Sequence, residues 1–91
     1  MNKSELVKTL AEELGIPVDE ATIFVGTFFD SVRQALVQRD RVEIRGFGSF
    51  KIKDYKGYVG RNPKTGEQVQ VPPKSLPEFR AGKELKEIVN S

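Results

Sequence analysis

The chain has 91 residues, with 15 basic and 13 acidic side chains and neither cysteine nor histidine. This length predicts one domain, residues 1–91, whose core is small enough that self-association is favoured. The chain lacks the thiol and imidazole side chains on which common hydrolytic and zinc sites depend. We therefore expect no enzyme, no metal, no cofactor and no small-molecule substrate.

Charge is unevenly distributed along the chain. Residues 1–40 carry a net charge of −3 and residues 41–91 a net charge of +5. This polarity favours an anionic partner at one end of the molecule. The N-terminal segment is charged, and no apolar run is long enough to span a bilayer, so we expect a cytoplasmic protein without a membrane partner.

Residues 1–40 are predicted to form two helices. Asn2, with Glu5 three residues later, is typical of a helix start, and Gly15 of a helix end. The second helix should begin at Val18 or Asp19 and end near Gln38, with an apolar stripe at Ala21, Phe24, Val25, Phe28, Val32, Ala35 and Leu36. One short helix cannot cover this stripe, so we expect these residues to form a dimer interface between two chains.

Residues 41–53 and 75–81 predict a small antiparallel sheet. Charged and apolar residues alternate from Arg41 to Arg45 and again from Ser49 to Lys53, separated by a turn at residues 46–48. The returning strand includes Pro72 and Pro73, which cannot donate ladder hydrogen bonds, so it should lie at an edge. Residues 82–91 predict a short C-terminal helix that docks through Leu85, Ile88 and Val89.

Residues 54–74 predict a projecting arm, because they contain too few hydrophobic residues to form a core. Turn chemistry at Asn62, Pro63 and Gly66 favours a four-residue loop, residues 63–66. This loop places Asn62 opposite Glu67 and, counting back along both strands, Phe50 opposite Phe79. The outgoing strand, residues 53–62, would reach about 30 Å when extended. A ribbon that projects this far requires a partner.

Several blocks resemble the bacterial histone-like HU and integration host factor family, in order and over essentially the whole chain. The matching blocks are residues 1–3, 46–50, 60–67, Pro77 with Phe79, and 82–86. The resemblance implies an α+β fold in an intertwined dimer: a helical base, a small antiparallel sheet with a long β-ribbon arm, and a short C-terminal helix. It also implies double-stranded DNA as partner and a nucleoid-associated location. Architectural proteins of this class kink DNA from the minor groove by about 20–90°.

The same resemblance assigns roles to individual residues. Pro63 matches the proline that intercalates between base pairs, and Arg61 and Asn62 match its neighbours in the groove. Contacts to the sugar-phosphate backbone are implied for Arg45, Gly46, Gly48 and Ser49, and contacts to flanking DNA for Lys3, Lys83 and Lys86. The remaining candidates are lysines of the hairpin formed by the sheet strands and the arm: Lys51, Lys53, Lys56, Lys64 and Lys74. For Lys51, Lys53, Lys56 and Lys74, solubilising an exposed strand edge is an equally good interpretation.

Three positions depart from the family pattern. Tyr55 and Tyr58 stand where arm arginines are common, so we expect weaker and less salt-sensitive DNA binding. Arg39 stands where the second helix usually stops at glycine, and a positive φ would cost it about 1 kcal/mol, so we expect a helix end of different shape. Val18 replaces a flanking lysine.

These observations predict an architectural protein that bends and compacts DNA through the minor groove with low sequence specificity, as a homodimer. The first alternative is a site-preferring subunit like those of integration host factor, which pairs with a related chain. The second alternative, from another class, is a protein-interaction module whose arms add strands to a partner and which does not bind DNA.

Overall fold

The computed structural model describes residues 1–91 as three helices and five strands. These are α1 (Lys3–Leu14), α2 (Val18–Val37), β1 (Val42–Ile44), β2 (Gly48–Tyr55), β3 (Tyr58–Arg61), β4 (Gln68–Val71), β5 (Lys74–Ala81) and α3 (Lys83–Val89). The chain divides into two compact units, Met1–Gln34 and Ala35–Ser91. None of the helices combines the length and the hydropathy needed to cross a membrane.

Helix α1 begins and ends where the sequence predicts. The Asn2 side chain accepts a hydrogen bond from the Glu5 amide at 2.9 Å, which satisfies one of the free donors of the first turn. Gly15 takes a left-handed conformation with φ 62°, and the amide of Ile16 donates back to the carbonyl of Ala11. This is the Schellman arrangement that satisfies the last carbonyls of a helix.

The first unit has a small core between its two helices. Val7 and Ala11 of α1 pack with Ala21 and Val25 of α2. Val32 of the predicted stripe is also buried and Ala35 and Leu36 are half-buried, but Phe24 is 59% exposed and Phe28 is 45% exposed. The predicted stripe is therefore correct in position, but within one chain it is only partly buried.

The second unit is built on a three-stranded antiparallel sheet in the order β1-β2-β5. Phe50 lies opposite Phe79, as the loop length predicts, and their ring centroids are 4.9 Å apart. The Phe47 ring centroid lies 5.4 Å from that of Phe79. These three rings anchor the register at the base of the ribbon.

Each face of this sheet has a distinct character, because directly opposed residues share a face. The apolar face carries Val42, Ile44, Phe50, Ile52, Pro77 and Phe79, and it ends at the opposed pair Asp54 and Ser75. The polar face carries Glu43, Ser49, Lys51, Lys53, Tyr55, Lys74, Leu76, Glu78 and Arg80. The sheet thus carries most of its charged side chains on one side.

The arm continues the same register but contains an interruption that the sequence analysis did not predict. The β2–β5 ladder ends at the pair Tyr55 and Lys74, and the β3–β4 ladder begins at Tyr58 and Val71. Between these ladders, residues 56–57 face residues 72–73 without strand pairing. Two consecutive prolines supply no amide donors, so the ladder cannot form there.

Helix α2 ends in a second Schellman arrangement with an arginine in the left-handed position. Arg39 has φ 59°, and the amide of Asp40 donates to the carbonyl of Ala35 at 2.8 Å. The expectation of a differently shaped helix end is wrong, because Arg39 accepts a conformation that costs a non-glycine residue about 1 kcal/mol.

The Arg39 side chain contacts the last part of the apolar face. Its Nη1 donates to Asp54 at 2.8 Å, and its Nη2 donates to the Ser75 hydroxyl at 3.0 Å. Ser75 in turn donates to Asp54. The hydrogen bonds from Ser75 and then from Arg39 lower the pKa of Asp54 from its ordinary value.

Helix α3 follows the sheet directly, and the Gly82 amide donates to the Phe47 carbonyl at 2.8 Å. Leu85 is half-buried, but Ile88 and Val89 are 69% and 74% exposed. The prediction that all three dock is therefore wrong for Ile88 and Val89 within one chain.

Gly48 permits close approach of β5, so we expect Gly48→Ala to destabilise the sheet. A Cβ there would lie 2.5 Å from the Arg80 carbonyl oxygen and 2.7 Å from the Phe79 ring. Overpacking of this kind costs about 1–3 kcal/mol, measured as a loss in the free energy of unfolding by urea titration. Gly60→Ala is the control, because its Cβ would make only ordinary contacts, at 3.5 Å and beyond. Equal effects of the two changes would contradict this account.

The Asp54 hydrogen bonds predict a shifted titration. The ordinary pKa of Asp54 is 3.8, and its pKa in the folded protein is lower. The contribution of its hydrogen bonds to stability is therefore fully present above pH 3.8 and is lost as the pH falls through the folded-state pKa. Carboxyl ¹³C chemical shifts against pH should show the Asp54 pKa below 3.8, and Ser75→Ala should raise it. An Asp54 pKa at or above 3.8 in the unchanged protein would refute the assignment.

Candidate nucleic-acid interface

The tip of the arm is a preformed turn that presents Pro63. The Asn62 side chain accepts a hydrogen bond from the Lys64 amide at 2.9 Å, and the Asn62 amide donates to the Glu67 carbonyl at 2.9 Å. Gly66 has φ 73°, a conformation that glycine adopts without strain. The predicted loop of residues 63–66 and its closing pair are therefore confirmed.

The candidate residues at the tip lie together and are exposed. Arg61 is the last residue of β3, and Asn62, Pro63 and Lys64 follow it in the turn. Lys56 is also exposed, but it lies in the interruption near the base of the arm. Arg61 and Lys64 thus lie on either side of one exposed proline at the tip.

The arm lysines lie on the polar face near the base of the arm. Lys53 Nζ lies 3.8 Å from Glu78 and 5.4 Å from the Tyr55 ring centroid, while Lys74 Nζ lies 5.8 Å from the same ring. Cation–π attraction of this kind is worth about 0.5–1 kcal/mol at exposed sites. Tyr55 therefore adds no charge of its own, unlike an arginine at this position, but its ring attracts the ammonium groups of Lys53 and Lys74 to one surface. Lys51, opposite Glu78, completes this group.

A second group of candidates lines an open cleft of about 670 Å³ at the other end of the polar face. Arg45 and Gly46 occupy the turn after β1, and Gly48 and Ser49 open β2. Gly46 has φ 83°, so the turn depends on glycine there. Lys83 also lines this cleft. Ser49 is 9% exposed, so it is the least accessible of the candidate residues.

The cleft contains two arginines that the sequence analysis missed. Arg80 lies directly opposite Ser49 in the β2–β5 register, and Arg41 lies beside Glu43 with Nη2 2.7 Å from its carboxylate. The predicted register already pairs residue 49 with residue 80, so Arg80 could have been found from the sequence. The cleft is therefore lined by four basic side chains together with two carboxylates, those of Glu43 and Glu84.

The remaining lysines lie apart from these groups. Lys83 and Lys86 are exposed on α3, where Lys83 Nζ lies 4.0 Å from Glu87. Lys3 is the first residue of α1, in the other unit. The candidate residues thus form a tip group, a base group and a cleft group, with Lys3, Lys56 and Lys86 outside them.

Residues 1–90 match the family model described as bacterial DNA-binding protein. The chain is 42% identical over 89 residues to DNA-binding protein HU of Geobacillus stearothermophilus, covering 98% of this chain and 99% of that protein. It is 50% identical over 91 residues to integration host factor subunit beta of Dechloromonas aromatica (strain RCB), covering 99% and 97%.

Solved structures agree with these relatives. An Anabaena HU–DNA cocrystal structure matches with a TM-score of 0.88 and 37% identity, over 98% of this chain and 97% of that one. HU from Thermotoga maritima matches with a TM-score of 0.69 and 28% identity, over 98% of both chains. With the α+β fold and the basic ribbon described above, these matches show that the chain belongs to the bacterial histone-like HU and integration host factor family of DNA-binding architectural proteins, which are not enzymes.

Proposed function

We propose that this protein bends and compacts double-stranded DNA in the nucleoid of the cytoplasm, with low sequence specificity, by inserting Pro63 into base steps from the minor groove. The observation that carries this proposal is the exposed proline at the apex of a preformed turn, on a projecting ribbon of basic residues. The DNA-binding role of the family supplies the partner.

Proline suits the role of a wedge between base pairs. Its ring is apolar and its nitrogen carries no hydrogen, so insertion leaves no amide donor without a partner. The hydrogen bonds of Asn62 to Lys64 and Glu67 hold the turn before DNA is present. A preformed turn loses little conformational freedom on binding, so more of the contact energy remains available to distort the duplex.

The charge of the arm supports capture of the duplex before insertion. Arg61 and Lys64 flank the wedge, and Lys51, Lys53, Lys56 and Lys74 lie along the base of the arm. In the minor groove, A·T and T·A pairs present the same acceptors, so side chains there distinguish few sequences. Binding should therefore depend on how easily DNA deforms more than on its base order.

The cleft is the proposed site for the sugar-phosphate backbone. Arg45, Arg80 and Lys83 supply positive charge, and the backbone of Gly46 and Gly48 lines the same cleft. Such contacts fix the position of a protein on a duplex without reading its sequence. Ser49 would contribute its hydroxyl, and Lys3 and Lys86 would contact the flanks of bent DNA.

We also propose that two chains associate through α2. Ile23, Phe24 and Phe28 are 67%, 59% and 45% exposed in a single chain, and apolar surface of this extent is normally covered. A homodimer would place two arms on one duplex, with residues 1–40 as the dimerisation part and residues 54–74 as the arm. Pairing with a related chain is the alternative.

A site-preferring subunit is the second candidate function. It is favoured by the 50% identity to an integration host factor subunit beta and by the arginine-rich cleft around Arg45. Competition of a labelled site against random duplex separates the two functions. Equal competition supports low specificity, and a retained labelled complex supports site preference.

The wedge predicts that Pro63→Ala reduces DNA bending while binding persists. The arm and cleft charges are unchanged in this variant, so the complex should form at somewhat higher protein concentration. Energy transfer between dyes at the two ends of a duplex, measured at saturating protein, should fall toward the value of free DNA. Lys8→Ala, at an exposed position on α1, is the control and should leave transfer unchanged. Full transfer with Pro63→Ala would refute the wedge.

The cleft predicts that Arg80→Ala removes about one phosphate contact. The slope of log affinity against log salt should then become shallower by about 0.9, as measured by mobility shift across a salt series. Arg33→Ala is the matched control, because Arg33 already pairs with Asp30 on α2. The cleft assignment fails if both variants keep the original slope.

The absence of any salt-dependent DNA retention in the unchanged protein would instead support the protein-interaction module.

A further inference from the structure

Arg39 is the one non-glycine residue in the chain with a positive φ. Backbone strain of this kind persists where the surrounding structure imposes it, and it often marks a functional constraint. The Arg39 and Asp54 side chains are 58% and 67% exposed, and surface ion pairs contribute little to the free energy of folding. The ion pair therefore offsets little of the cost of the strained backbone. The conformation instead points the guanidinium group toward the base of the arm.

The guanidinium group connects both strands of the arm at one ladder position. Asp54 on β2 and Ser75 on β5 are direct partners in the register. Arg39 Nη1 lies 2.8 and 3.1 Å from the two Asp54 carboxylate oxygens, and Nη2 lies 3.0 Å from the Ser75 hydroxyl. A planar guanidinium fork holds such an arrangement with defined geometry, which a single ammonium group cannot do.

This contact lies just before the interruption in the arm. One pair further out, Tyr55 and Lys74 close the β2–β5 ladder, and pairing resumes only at Tyr58 and Val71. The two prolines at positions 72–73 leave that step without ladder hydrogen bonds. Motion of the arm is therefore least restrained at the interruption, provided that the strands beneath it are held.

We propose that Arg39, Asp54 and Ser75 form a brace that fixes the base of the arm to the turn after α2 and confines arm motion to the interruption. Arg39 is then a positioning residue for the Pro63 wedge, a role that rests on the proposed function. Loss of the brace would let both strands move from their base, and the tip would meet the duplex in many orientations.

The brace itself is tested without DNA, by ¹⁵N relaxation of the arm amides. Asp54→Asn keeps the side-chain shape and removes the charge, and Arg39→Gly keeps the left-handed turn and removes the fork. Order parameters at Lys53 and Leu76 should fall from about 0.85 toward 0.6 in both variants. Arg39→Lys should give an intermediate value, because one ammonium group replaces the fork. Each variant should unfold in one cooperative thermal transition, which shows that it folds.

Asp30→Asn is the matched control, because it removes another exposed aspartate–arginine pair, on α2. Unchanged order at Lys53 and Leu76 in Asp54→Asn and Arg39→Gly would overturn the brace, as would an equal loss of order in the control. These outcomes are independent of whether DNA is bent.

The positioning role is tested by end-to-end energy transfer on saturated DNA. We expect Asp54→Asn and Arg39→Gly to lower transfer while Pro63 is intact, and Asp30→Asn to leave it unchanged. Full transfer with both brace variants, while Pro63→Ala lowers it, would overturn the positioning role. Unchanged transfer with Pro63→Ala would contradict only the wedge role of Pro63. Reduced order in the free brace variants would still support the brace.

Discussion

The antiparallel register of the ribbon is the constraint on which the rest of the structure depends. One register runs from Gly48 and Ala81 at the base to Arg61 and Gln68 near the tip, and it continues across the interruption without a bulge. A slip of one residue would move every side chain to the opposite face. The polar face, the packing of Phe50 on Phe79 and the orientation of the tip are all consequences of this one alignment.

Different interactions stabilise the base and the tip of the ribbon. At the base, the rings of Phe47, Phe50 and Phe79 pack together, and Arg39 bridges Asp54 and Ser75. At the tip no core exists, so hydrogen bonds within the turn keep its shape. Between them lies a step without ladder hydrogen bonds. In the proposed function, this step would let the ribbon follow a duplex while the turn keeps Pro63 in place.

The sequence predicted those features that depend on local chemistry. Asn62 and Gly66 favour one turn, and the turn sets the register as far down as Phe79. The helix end at Arg39 was mispredicted because a non-glycine residue adopts the left-handed conformation there at a cost of only about 1 kcal/mol. Its side-chain partners, Asp54 and Ser75, are distant in sequence. Arg80 carries no motif and gains its place in the cleft only through its cross-strand neighbour Ser49. Ile88 and Val89 fit a helical pattern, but a pattern does not show which surface covers them.

The central claim is that Pro63 separates stacked bases. It is tested most directly with 2-aminopurine placed beside successive base steps of a short duplex, because the emission of this base rises when a neighbour unstacks. Saturating protein should raise the emission at particular steps, and saturating Pro63→Ala protein should not. An equal rise with both proteins, or none with either, would contradict the account.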